Sequence, residues 1–231
     1  MDKKITIAID GFSSTGKSTL AKQLAKELSY VYVDTGAMYR AITFFAMQNG
    51  YISFEFFDKE TLIQSLPFIT LEFKFNAAAG FAEMYLNDVN VEKEIRTIEV
   101  SGFVSKVAEI DQVRTKLVEQ QQEMGKNKGI VMDGRDIGTV VFPDAELKIF
   151  MSASAATRAK RRYDELVAKG DQVTYEEVLQ NVQERDYIDT RRANSPLAQA
   201  KGAIEIDNSD LNREQQFDMV LALVNQVVKK V

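Results

Sequence analysis

Short apolar runs alternate with helix-patterned segments along most of this chain. Lys4 to Ile9 (KITIAI) is β-branched and apolar and stops at Asp10-Gly11, which predicts a buried strand. Thr19 to Leu28 repeats leucine at 20, 24 and 28, the spacing of one helix face. Tyr30 to Val33 (YVYV) reads as a second strand, and Thr35 to Gly50 as a second helix closing at Asn49-Gly50. Ile130 to Met132, Leu147 to Met151 and Ala203 to Ile206 are further short apolar runs set between helical segments. Strands and helices in alternation predict a parallel sheet with helices on both faces.

One stretch has a different period. Phe68 to Phe75 (FITLEFKF) alternates, with Ile69, Leu71, Phe73 and Phe75 on one side. Phe81 to Leu86 and Val89 to Val91 follow, separated by Asn87-Asp88. These predict a small antiparallel meander, with turns at Asn76–Gly80 and Asn87-Asp88, inserted beside the main sheet at about residues 67–91. No internal repeat, low-complexity tract or long linker interrupts the 231 residues, so a single domain over 1–231 is expected.

Two later helices carry stripes of arginine. From Ser154 to Ala168 Ala155, Ala159, Tyr163, Leu166 and Val167 form an apolar seam, and Arg158, Arg161, Arg162 and Glu165 lie on another face. Thr174 with Glu177 forms a capping-box pattern that opens the next helix. On it Arg185, Asp189 and Arg192 share a face before Asn194-Ser195-Pro196 ends the helix. With Lys169-Gly170-Asp171 between them, the pair predicts a hinged basic lid at about residues 152–172. Of eleven arginines in the chain, seven lie between Arg135 and Arg192, whereas lysine predominates elsewhere. Solubility needs only charge; a regional choice of planar, bidentate donors points to carboxylate or phosphate recognition. A solvated helical face is the plainer reading.

Composition then removes several chemistries. Histidine, cysteine and tryptophan are absent, which excludes Ser-His-Asp and Cys-His nucleophiles, thiol redox work, disulfides and Cys/His zinc sites. A net charge of −5 argues against a broad nucleic-acid surface. No run approaches the ~20 apolar residues of a membrane span, and Met1-Asp2-Lys3-Lys4 leads straight into a strand-like segment. A cytoplasmic protein without membrane or nucleic-acid partners, and a monomer, is expected.

Gly11-Phe12-Ser13-Ser14-Thr15-Gly16-Lys17-Ser18 fits the phosphate-loop pattern G-x-x-x-x-G-K-[ST], and it follows a strand and opens a helix as the pattern requires. Backbone N–H groups can turn inward there around phosphate oxygens, aided by the helix N-terminus. Lys17 would reach the β and γ phosphates, and the Ser18 hydroxyl would sit on Mg²⁺. An ordinary glycine-rich turn is the bland alternative. Phosphate loops serve GTPases, motors, ATPases and small-molecule kinases alike. No Asn-Lys-x-Asp guanine-reading segment is present, and the chain is short for a motor. A kinase for a small anionic acceptor needs a cluster of cations, which the arginines can supply. Adenylate-type and shikimate-type kinases, and a nucleotide-gated binding module, remain alternatives at this level.

Two further motifs narrow the choice. Asp34-Thr35-Gly36-Ala37-Met38-Tyr39-Arg40 and Asp133-Gly134-Arg135-Asp136-Ile137-Gly138-Thr139-Val140-Val141-Phe142-Pro143 resemble the bacterial cytidylate (CMP/dCMP) kinase family, from about Ile5 to Val224. Glu94-Ile95-Arg96-Thr97, Glu184-Arg185-Asp186 and Arg192 fall in the family's order, and the antiparallel insert matches its bacterial form. The resemblance implies an α/β phosphate-loop (P-loop) kinase fold of three layers: a five-stranded parallel sheet, a small antiparallel β insert and a helical lid. It implies transfer of the γ-phosphoryl of ATP, with Mg²⁺, to CMP or dCMP.

It also implies roles for particular residues. ATP would be held by Gly11, Phe12, Ser13, Ser14, Thr15, Gly16, Lys17, Ser18 and Thr19, with Arg158, Arg161 and Arg162 as lid arginines and Ser18 at the metal. Thr35, Arg40, Arg135 and Arg192 would contact the acceptor phosphate; Ser105, Arg114 and Asp136 would read cytosine; Arg185 and Asp189 would hold the ribose. Lys17, Arg135, Arg161 and Arg192 would carry catalysis. Plainer roles stand beside these: Thr35 as a helix cap, Arg114 as a helix-surface residue, Asp189 as the ion-pair partner of Arg185. Phe12 stands where relatives often have proline, Ser18 where some have glycine, and Thr35 where serine is common. None of these departures removes a needed donor.

Overall fold

The computed structural model describes residues 3–78 and 80–229. In chain order the elements are β1 (Thr6–Gly11), α1 (Lys17–Leu28), β2 (Val31–Asp34), α2 (Thr35–Gln48), α3 (Lys59–Ser65), β3 (Leu71–Asn76), β4 (Phe81–Leu86), β5 (Val89–Asn90), α4 (Ile98–Ala108), α5 (Asp111–Gly125), β6 (Ile130–Gly134), β7 (Leu147–Ser152), α6 (Ala155–Ala168), α7 (Tyr175–Arg191), β8 (Ile204–Asp207) and α8 (Arg213–Val228). They fall into two compact units, one built from the described residues up to Val33 and from Met124 onward, the other from Asp34–Glu123.

The first unit is organised by a five-stranded sheet in the order β2-β6-β1-β7-β8. Strand β1 is central, pairing in parallel with β6 (Ile7↔Val131) and with β7 (Ile7↔Leu147), and all six of its residues are buried. A strand covered on both faces reads as a continuous apolar run, which is why KITIAI announces itself. Ile5, Ile7 and Ile9 pack with Leu20 and Leu24 of α1 and Val220 and Val224 of α8. Each such side chain contributes about 1.5–3 kcal/mol by leaving water. The ladder carries β1 past Ile9 to Gly11, which sits opposite Met151. Gly11 has φ +142°, and a Cβ there would stand 2.0 Å from the Met151 carbonyl oxygen. Only glycine fits that approach.

The second unit contains α2, α3, α4 and most of α5, with the antiparallel sheet β3-β4-β5. Leu71 pairs with Leu86 and Phe73 with Met84. Asn87 (φ +47°) and Asp88 (φ +66°) form the β4–β5 turn, the backbone of a tight hairpin. In the predicted Asn76–Gly80 turn, Gly80 N–H donates to the Asn76 carbonyl at 2.8 Å, while residue 79 lies outside the described residues. Two expectations need correction. The strand starts at Leu71 rather than Phe68, because Pro67 lies in a short 3₁₀ turn over Leu66–Phe68. Phe75, placed on the inward face by its alternation, is 73% exposed; burial is concentrated at the Leu71–Leu86 end, and Phe75 faces only Ala82 across the ladder.

Candidate active site

In the first unit the loop between β1 and α1 is shaped by where its carbonyls go. The Phe12 carbonyl accepts from Lys17 Nζ at 2.6 Å and from Thr15 Oγ1 at 3.0 Å. The Ser13 carbonyl accepts from Arg158 Nη1 at 3.4 Å, and the Thr15 carbonyl from Asn208 Nδ2 at 2.5 Å. A trans peptide points its N–H away from its C=O, so the Ser13 and Thr15 carbonyls, engaged by Arg158 and Asn208, turn the amides that follow them the other way. Ser14 (φ +58°) and Gly16 (φ +89°) supply the left-handed residues that such an anion-binding nest needs. The Ser13 hydroxyl is buried with no protein hydrogen-bond partner among the described residues. Helix α1 opens at Lys17 rather than Thr19, because the left-handed Gly16 caps it. Thr19 lies exposed on its first turn.

Lys17 is 4% exposed. Burial lowers its pKa to about 7, with Arg135 and Arg185 adding repulsion against the attraction of Asp133 and Asp10. An anionic phosphate beside it would favour the charged form. Ser18 Oγ donates to Asp133 Oδ2 at 3.0 Å, and Tyr32 donates to Asp133 Oδ1 at 2.8 Å. The hydroxyl–carboxylate pair is a hard oxygen donor set, of the kind that binds a hydrated divalent cation together with substrate phosphates.

After β6 the chain makes a single wide helical turn over Ile137–Val141, with Val141 N–H bonded to the Asp136 carbonyl and Phe142 N–H to that of Ile137. Turns with this i,i+5 bonding concentrate at functional sites. Asp10 anchors it: Oδ1 accepts from Ile137 N at 2.8 Å and Oδ2 from Gly138 N at 2.7 Å. Burial raises the Asp10 pKa to about 7, since the two amides and Lys17 only partly offset desolvation and the charge of Asp136. Asp136, at the head of this turn, is buried.

The arginines divide into two kinds. Arg135 Nε donates to Asp189 Oδ2 at 2.9 Å, and Arg192 Nη1 lies 3.6 Å from Asp189 Oδ1. Burial would raise the Asp189 pKa, but Arg135, Arg185 and Arg192 outweigh it and hold the carboxyl down. Arg135, Arg185, Asp189 and Arg192 are thus brought together, with Arg135 and Arg185 also acting on Lys17. Arg192 caps the end of α7 and donates to the Ser195 carbonyl at 2.7 Å. The capping box of Thr174 and Glu177 opens that helix as expected.

On α6 the reading of a solvated arginine stripe needs correcting. Arg158 is 3% exposed, lies 5.0 Å over the Phe12 ring, and grips Asp186 with both terminal nitrogens at 3.0 and 2.6 Å. It serves the loop's shape through Phe12 and Ser13. Val167, assigned to the apolar seam, is 46% exposed instead. Arg161 donates to Asn208 Oδ1 at 3.0 Å and to its carbonyl at 2.8 Å, and Arg162 pairs with Glu165 at 3.1 Å. Gly170 (φ +91°) lies between the two arginine-bearing helices.

The second unit holds the remaining expected residues. Thr35 is the buried first residue of α2, and its neighbour Asp34 is the helix N-cap, accepting from Ala37 N at 3.0 Å. Arg40 lies 2.9 Å and Arg96 2.8 Å from Asp34 Oδ2, while Arg96 also bonds Glu92. Burial pushes the Asp34 carboxyl up, but Arg40 and then Arg96 hold it well below the usual carboxylate range. Ser105 is buried on α4. Arg114 on α5 is buried as well, donating to the Ala108 carbonyl at 3.0 Å and lying 5.5 Å from the Tyr39 ring centroid. That is not a helix-surface arginine.

Sequence reasoning assigned no role to Asp10, Asp34, Tyr32, Asp186 or Asn208. Asp10 carries a visible signal, a carboxylate closing an otherwise apolar strand. Asn208 carries none, since its partner Thr15 is 193 positions away.

The family model described as cytidylate kinase matches residues 7–226. A protein named cytidylate kinase from Flavobacterium johnsoniae is 76% identical over 98% of this chain and 99% of its own length. Proteins of the same name from Parabacteroides distasonis (60% identical, 98% and 99% covered) and Bacteroides thetaiotaomicron (54% identical, 99% and 100% covered) are similar to it over the same span. The chain belongs to the cytidylate kinase family.

Proposed function

We propose that this protein transfers the γ-phosphoryl group of ATP to CMP or dCMP, giving ADP and CDP or dCDP. The observation that carries the reading is the cation cluster beside the phosphate loop: buried Asp189 holds Arg135 at 2.9 Å and Arg192 at 3.6 Å, and Arg135 and Arg185 lie near enough to Lys17 to repel its charge. A nucleotide-hydrolysing switch has no second anionic substrate to hold. A kinase must overcome repulsion between two phosphates and then the charge that spreads over the transferring group.

The acceptor phosphate has a second pKa near 6, so it is mostly a dianion at neutral pH and needs no general base. That suits a chain without histidine. The loop amides and Lys17 take the triphosphate, and Arg161 and Arg162 are assigned to it from α6. Arg158 supports the same site by fixing Phe12 and Ser13. Arg135 and Arg192, with Thr35 and Arg40, are assigned to the acceptor phosphate; Arg185 and Asp189 to its ribose. Arg135 is placed to stabilise the transferring group, in a site where exclusion of water strengthens each interaction. Ser18 and Asp133 would hold Mg²⁺, which when bound neutralises charge on the phosphate oxygens.

Cytosine presents the acceptors N3 and O2 and a donating amino group. Arg114 can donate to the former and Asp136 accept from the latter, with Ser105 assigned to the same base. Uracil would set a carbonyl against Asp136. The test is ADP release measured across CMP, dCMP, UMP, AMP and GMP. CMP and dCMP should be used at least about a hundredfold better than UMP, and equal use of UMP would contradict the assignment of Asp136. Monomeric state and cytoplasmic location belong to the same proposal; no described helix is long and apolar enough to cross a membrane.

A further inference from the structure

Asn208 follows β8 and is 2% exposed. Its main chain is fixed by a bond from its N–H to the Ser152 carbonyl at 3.0 Å. Its side chain uses both ends. Nδ2 donates to the Thr15 carbonyl and to Gln216 Oε1, each at 2.5 Å, and Oδ1 accepts from Arg161 Nη1 at 3.0 Å. The orientation of the amide follows from chemistry. A guanidinium can only donate and a backbone carbonyl can only accept, so oxygen must face Arg161 and nitrogen must face Thr15. Arg161 also donates to the Asn208 carbonyl at 2.8 Å, which makes the contact two-pronged.

We infer that Asn208 is a positioning residue that couples Arg161 of α6 to the phosphate loop and aims the Gly16 amide at the bound phosphate. The Thr15–Gly16 peptide is a rigid plane, so drawing its carbonyl toward Asn208 turns the Gly16 N–H the opposite way, into the loop. Gly16 is already left-handed (φ +89°), and the Asn208 bond selects that peptide orientation. Gln216 on α8, itself 7% exposed, holds the amide from behind. One amide therefore sets both a loop donor and a lid arginine. This rests on reading Gly11–Ser18 as the triphosphate site and Arg161 as a residue of that site.

The test uses the full chain carrying Asn208→Ala or the isosteric Asn208→Asp, with ADP and CMP each titrated calorimetrically and turnover measured with ATP and CMP. Asn208→Ala should weaken ADP about tenfold or more, the cost of a misaimed donor to a charged group, while CMP affinity stays within about twofold. Asn208→Asp keeps an acceptor for Arg161 but sets oxygen against the Thr15 carbonyl and Gln216 Oε1, so ADP should weaken at least as much. Arg161→Ala should also cost less turnover in the Asn208→Ala background than in the wild type, because the two act as a unit. Wild-type ADP affinity in both variants, an equal loss of ADP and CMP affinity, or strict additivity with Arg161→Ala would each overturn the inference. A wild type that releases no ADP in response to CMP would instead overturn the kinase reading, which the ADP titrations do not depend on.

Discussion

Asp10 and Asp34 look alike in the sequence and behave oppositely in the fold. Each is a buried carboxylate near the carboxyl end of a parallel strand, and each accepts backbone N–H at the head of a helical turn. Asp34 also receives Arg40 and Arg96 and is held ionised. Among the described residues Asp10 receives two amides and no guanidinium, and burial raises it to about 7. At Asp10 the two amides do not offset desolvation and the charge of Asp136, whereas at Asp34 the two arginines outweigh burial. Asp34 anchors two arginines, whereas Asp10 is spent on the backbone of the Ile137–Val141 turn beside Lys17.

The largest expected effect probes Lys17, the buried cation beside Asp10. Lys17→Ala should cut kcat about a thousandfold or more while thermal stability is kept or rises, because burying this ammonium costs free energy. A collapse of stability would break the contrast. Asp34→Asn comes next. It leaves Arg40 and Arg96 without their shared partner and should cost about 2–4 kcal/mol, discounted for partial exposure of the two arginines. Denaturant unfolding at pH 7 measures it, and a loss under about 0.5 kcal/mol would mean that Asp34 is not the anchor.

The smallest effect is a slope. Between about pH 4 and pH 7 folded Asp10 keeps a proton that the unfolded chain has released, so its contribution makes stability fall as pH rises, by up to about 1.4 kcal/mol per pH unit. Asp34 has the opposite sign: its contribution is present above the ordinary carboxylate pKa and is lost as pH falls through its depressed value. Asp10→Asn should flatten the pH 4–7 decline and leave the acid limb in place. An unchanged slope would show that Asp10 is ionised throughout.

The parts of the site that rest on local chemistry were legible in the sequence. The glycine and lysine spacing of residues 11–18 fixed the strand, the loop and the helix start to within two residues, and Thr174 with Glu177 marked the opening of α7. Asn87-Asp88 marked its turn for the same reason, since each signal acts within a few residues. What depended on distant partners was not legible. Arg158 shares its helical spacing with Arg161 and Arg162, yet Phe12 and Asp186 bury it. Phe75 alternates like a core residue but runs past the packed end of its sheet. Asp34 and Arg96 sat inside recognisable motifs, and only the fold pairs them.

Arg135 joins the two halves of the proposed chemistry, bonded to Asp189 on one side and felt by Lys17 on the other. The most direct measurement is kcat/KM for CMP in Arg135→Ala beside the affinity for ADP. A fall of about a thousandfold or more, with ADP binding within about threefold of wild type, is the expected result. Turnover close to wild type would contradict a cation-driven transfer at this site.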